Sequence, residues 1–179
     1  MNINCSYCST FFIYYRKKVR EHVLGKIKWK ELLISLLISL GTGVVSWLLT
    51  SDSMEQYQTI YKPPLSPPGW LFPVVWTILF ILMGIASYLV YISDSSERSS
   101  ALLVYIFQLA ANVIWSVLFF NFNAYLLAFA WLIVLWYLIF ITIKQFYSIN
   151  KLAGKLMIPY LLWVSFAGYL NLAIALHYF

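Results

Sequence analysis

At 179 residues, of which 63% are hydrophobic and 10% charged, with a mean hydropathy of +0.81, the chain lacks the polar surface a soluble globule needs. Its formal charge of +6 does not point to nucleic acid, because most of the basic residues lie beside apolar runs, where membrane topology and anionic lipid account for them. Composition therefore predicts an integral membrane protein built as one all-α bundle, with no soluble domain beyond an N-terminal tail.

Residues 1–31 are that tail. Arg16, Lys17, Lys18, Arg20, Lys26, Lys28 and Lys30 outnumber Glu21 and Glu31, which keeps this end cytoplasmic and brings it to anionic lipid. Cys5 and Cys8 form a lone CxxC; with His22 as the nearby candidate partner they cannot complete a tetrahedral zinc site, so they read as reduced thiols and no metal is expected. The membrane domain is 32–179. No small-x-small cleavage site follows the apolar run 32–49, which is a retained first span.

A loop over 51–69 comes next. Pro63, Pro64, Pro67 and Pro68 remove backbone donors and fix φ, so the segment is an extended, stiff connector, a candidate lid together with Leu65 and Trp70. It leads into the uncharged run 70–92, longer than the roughly twenty residues that cross a bilayer. The polar stretch SDSSERSS ends this second span and a third covers about 101–120. A tight turn at 121–123 hands over to a fourth span at 124–143; a loop over 148–155 precedes a fifth at 156–176. With the N-terminus inside, alternate loops place eleven of the twelve Lys and Arg in the cytoplasm and leave only Lys62 outside. Charge thus supports five spans, with the proline loop and the C-terminus outward.

Residues at i, i+3, i+4 and i+7 share a helix face. Trp76, Phe80, Met83 and Ser87 form such a stripe on the second span; Gln108, Asn112, Trp115 and Phe119 on the third; Tyr160, Trp163, Ala167 and Asn171 on the fifth. At about 1.5 Å per residue most of these polar groups fall in the half of the membrane beneath the proline loop. Interfacial belts account for Trp47, Trp70 and Tyr178. Gln108 and Asn112 need partners in hydrocarbon, and helix-to-helix bonding serves them as well as a ligand does. Convergence of three faces under one loop favours a large, flat-walled pocket lined by indoles with a few orienting amides. Small residues suggest close packing at Ala124 and Ala128 and around Gly84, Ala86 and Ser87, and a homodimer through Ala110 and Ala111.

Several chemistries are disfavoured. No span carries Asp, Glu, Arg or Lys away from its ends, so the buried ionisable groups of a proton relay or ion-coupled transporter are missing. There is no HExxH, GxSxG, P-loop or paired carboxylate, and His22 and His177 fall on opposite sides of the membrane. Met83 is the one deep sulfur for a haem iron, a poor case for an axial ligand.

The segments KPPLSPPGW, PVVWTILFILMGIASYLV, QLAANVIWSVLFF and PYLLWVSFAGYLN, in this order, resemble the TspO/MBR family of tryptophan-rich sensory and translocator proteins, from about Leu32 to the C-terminus. The resemblance implies a five-helix bundle that binds porphyrins such as protoporphyrin IX, and in some members cholesterol or isoquinoline-carboxamide drugs, beneath the first loop. It also implies two alternatives: light- and oxygen-dependent porphyrin degradation, with Trp76 and Trp163 as catalytic candidates, or tetrapyrrole transport. Asn112, Trp115 and Ala167 match pocket positions. Together with helical spacing this makes the expected ligand set Trp76, Phe80, Met83, Gln108, Asn112, Trp115, Trp163, Phe166, Ala167 and Asn171, with porphyrin as ligand and no cofactor required. The plasma membrane of a prokaryote is the expected location. Two departures stand out: Leu65 replaces a tryptophan common in the family loop, and no Lys or Arg follows Tyr178, so the sterol motif of animal members is not implied.

Overall fold

The computed structural model describes residues 27–51 and 60–178. Cys5, Cys8, His22 and most of the basic tail lie outside the described residues. Five helices are long and apolar enough to cross a membrane: α1 (Trp29–Thr50), α2 (Leu71–Tyr91), α3 (Arg98–Ser116, continued by a π-helical turn Val117–Asn121), α4 (Tyr125–Ile149) and α5 (Lys151–Tyr178). Successive helices are antiparallel, and the connections after α2 are short. The Lys28 amide donates to the Tyr88 hydroxyl at 3.0 Å, tying the start of α1 to the end of α2. At the other end Asn121 Nδ2 donates to the Leu49 carbonyl at 2.7 Å. The proline loop, the C-terminus and the α3–α4 turn therefore share one end of the bundle, with Lys62 there. Lys28, Lys30, Arg98, Lys144, Lys151 and Lys155 are at the opposite end.

α1 is packed inside out, as a helix bathed in lipid can be. Most of its leucines, isoleucines and valines face outward, Leu36 and Leu40 turn inward, and its buried residues are Ser35, Ser39 and Thr50. Hydrocarbon gives no apolar driving force between helices, so small side chains and polar bonds supply the contact. The Ser39 hydroxyl donates to the Phe80 carbonyl at 2.6 Å. A Cβ on Gly84 would come within 3.0 Å of Leu36 Cα, so this glycine lets α2 lie against the α1 backbone. Ala128 is fully buried, as its spacing suggested. Ala111 is used inside the bundle, where its carbonyl accepts from Trp131 Nε1 at 2.9 Å; of the pair expected at a dimer contact only Ala110 is exposed.

Two boundaries differ from the sequence expectation. The loop expected over 148–155 reduces to one extended residue, Asn150, at φ −146° and ψ 114°. Its Oδ1 accepts from the amides of Leu152 and Ala153 at 2.9 and 3.2 Å, capping α5 at once, so the polar residues there are helix ends rather than loop. The third span does not end as a regular helix either. The Phe122 amide reaches the Val117 carbonyl at 3.2 Å, an i to i+5 bond that widens the turn.

Candidate ligand cavity

Beneath the proline loop α1, α2, α3 and α5 enclose a cavity of about 550 Å³. Two stacked ring pairs form much of its wall: Trp76 with Phe80 from α2 and Trp115 with Phe119 from α3, each with centroids 5.6 Å apart and planes at 30°. The π-helical turn turns the neighbouring ring inward as well. Phe119 and Phe120 both line the cavity, although consecutive side chains on a regular helix point about 100° apart.

The amides are bonded between helices. Asn112 Nδ2 donates to the Tyr160 hydroxyl at 3.0 Å. Trp115 Nε1 donates to Asn171 Oδ1 at 3.2 Å, and Asn171 Nδ2 donates to the Tyr125 carbonyl at 2.8 Å, so α3, α4 and α5 meet at one side chain. Asn112, Trp115 and Asn171 nonetheless line the cavity, so helix bonding and wall building coincide in the same residues.

Of the expected ligand set, Trp76, Phe80, Asn112, Trp115, Ala167 and Asn171 are brought to the cavity. Met83 and Gln108 are not. Both are completely buried, with Gln108 Nε2 3.9 Å from Met83 Sδ. Trp163 and Phe166 lie outside the wall. Trp163 packs edge-on against Phe72, 5.9 Å away, and beside Phe166 at 5.7 Å, so Phe72 stands where its indole was expected. The missed wall is α1: Gly43, Ser46, Trp47 and Thr50 face the cavity, Trp47 doing so while 60% exposed. The spacing of the small residues Gly43, Ser46 and Thr50 on one face of an otherwise bulky helix was the available signal. A Cβ on Gly43 would come within 2.6 Å of the Phe80 ring, so the glycine leaves room for that ring in its present position.

The loop is a lid held by α5. Tyr169 donates its hydroxyl to the Pro64 carbonyl at 3.1 Å, and the Tyr61 amide donates to the Tyr178 hydroxyl at 3.1 Å. The His177 ring stacks on Tyr61 at 3.9 Å. Tyr178, half exposed at the end of α5, thus also fastens the lid. Tyr61, Pro63, Ser66 and Gly69 turn to the cavity, whereas Pro64, Leu65, Pro67, Pro68 and Trp70 do not line it. The Ser66 amide closes a turn on the Pro63 carbonyl at 3.1 Å, with Leu65 at its third position at φ 69°. Leu65 is 79% exposed, so it contributes neither stacking nor apolar cover. A left-handed leucine is strained, and Leu65→Gly should raise stability by roughly 1 kcal/mol, read as a higher thermal midpoint in detergent.

Five membrane-crossing helices around a capped, aromatic-walled cavity define an integral membrane protein of the helical-bundle class. The model of the TspO/MBR family matches residues 34–177, and the chain belongs to that family. It is 42% identical over 120 residues to the tryptophan-rich protein TspO of Chlorobaculum tepidum, covering 66% of this chain and 76% of that protein. Against the tryptophan-rich protein TspO of Archaeoglobus fulgidus the identity is 35% over 147 residues, 82% of this chain and 95% of the relative. Against the human translocator protein it is 32% over 140 residues, 76% and 83% of the two chains.

Proposed function

We propose that this protein is a membrane receptor or sensor that binds tetrapyrroles of the protoporphyrin kind in the cavity beneath its first loop. The observation that carries the reading is the pair of stacked ring walls, Trp76–Phe80 and Trp115–Phe119, around about 550 Å³ of mostly apolar space. Flat aromatic walls suit a flat macrocycle, and ring contacts add to simple apolar burial. The lysines and arginine at the end opposite the lid support a cytoplasmic placement of that end, with anionic lipid around it. The proposed location is the plasma membrane of a prokaryote; relatives that align over most of their length occur in bacteria and archaea and also in eukaryotes.

The test is quenching of tryptophan fluorescence by protoporphyrin IX in purified protein. Trp76→Leu should weaken binding about tenfold, the loss of one stacked indole wall. Trp163→Leu, behind Phe72, should change it less than about twofold. Unchanged affinity in Trp76→Leu would place the porphyrin elsewhere.

A further inference from the structure

Among the described residues, none of the side chains lining the cavity is Asp, Glu, Lys or Arg, and the hydroxyls there mostly return to the backbone: Thr50 to Ser46, Ser66 to Pro63, Thr77 to Pro73 and Ser116 to Asn112. Ser46 Oγ alone among these wall hydroxyls is buried without a hydrogen-bond partner. A carboxylate forced into this space would meet no cation and one free hydroxyl, at a cost of several kcal/mol. The wall residues that are also exposed, Val44 and Trp47 on α1 with Pro73 and Thr77 on α2, sit within two turns of the lid end of their helices. The cavity therefore opens sideways between α1 and α2, beside the lid.

Lys62 is exposed between Tyr61 and Pro63, both of which face the cavity, and among the described residues it is the one Lys or Arg at this end of the bundle. Tyr61 is in turn held by His177 and Tyr178, so the lysine rises from a fastened backbone. We propose that Lys62 is the anion-recognising residue of the site: it selects acidic amphipathic ligands and sets their orientation, ring edge inward and carboxylates at the lid. The inference rests on the tetrapyrrole reading and adds a direction of entry and a ligand subclass to it.

The experiment compares protoporphyrin IX with its dimethyl ester, which keeps the macrocycle and removes both charges, in nanodiscs of phosphatidylcholine alone so that no anionic lipid competes for Lys62. Lys62→Gln should weaken the free acid about fivefold and leave the ester within about twofold, as for one partly exposed ion pair. Lys62→Arg should restore the acid, and added salt should shrink the difference between wild type and Lys62→Gln. Equal losses for acid and ester, or no loss for either, overturn the role of Lys62 while leaving tetrapyrrole binding intact. Failure of the wild-type protein to bind either porphyrin overturns both. Added phosphatidylserine should compete with the acid in wild type and not in Lys62→Gln, separating lipid from ligand as the source of the anion.

Discussion

Gly154→Ala is expected to cost about 3 kcal/mol, the upper end for overpacking, and to lower the thermal midpoint by roughly 10 °C. A Cβ on Gly154 would lie 2.5 Å from Tyr147 Cβ, 2.7 Å from its Cα and 2.8 Å from its amide nitrogen. Two of these atoms are backbone, so no rotamer change relieves the contact. Trimming Tyr147 to alanine leaves all three atoms in place and should not rescue the variant. The clash falls four residues after Asn150, the single residue between α4 and α5, so the chain has no slack through which the helices could separate. Gly41→Ala is the matching control: nothing lies within 4 Å of a Cβ there, and a helical glycine replaced by alanine should gain slightly. Thermal denaturation of both variants in the same detergent checks the contrast. Equal midpoints would mean that α4 and α5 approach less closely than described.

The number and order of the helices could be read from uncharged runs and from the side on which Lys and Arg gather, because lipid imposes length and charge rules on every span. The ends could not. Ser148, Asn150, Lys151 and Lys155 look like loop by polarity, yet Asn150 caps α5 through its own side chain and the helices continue past the apolar stretch.

Helical spacing located the right azimuth better than the right depth. Trp76, Phe80 and Met83 do share a face, but Trp76 and Phe80 line the cavity while Met83, one turn further from the lid, is buried away from it. On α5 even the azimuth drifted: each i to i+4 step turns a face by about 40°, so Trp163 and Asn171 differ by about 80°. Ala167 and Asn171 reach the cavity and Trp163 does not. α1 went unread for a different reason. An outward-facing apolar helix has no polar stripe strong enough to announce a cavity wall, and Gly43 and Ser46 matter only through what they leave room for.

Asn171→Leu is expected to lower stability by about 2 kcal/mol and to weaken porphyrin binding roughly tenfold. Leucine fills a similar volume but can neither accept from Trp115 Nε1 nor donate to the Tyr125 carbonyl. Interhelical bonds in membranes are individually modest, so the larger part of the loss is the buried indole N–H left without an acceptor. The same bond holds the Trp115 plane against Phe119, and its removal lets one ring wall of the cavity tilt. Trp115→Phe removes the donor and keeps an aromatic ring. If the stranded N–H is the cause, the double variant should lose about 1 kcal/mol less than the sum of the two single losses. Additive losses in thermal denaturation would show instead that Asn171 acts through packing alone. A porphyrin affinity that falls in Asn171→Leu and partly recovers in the double variant would tie the helix bond directly to the shape of the binding wall.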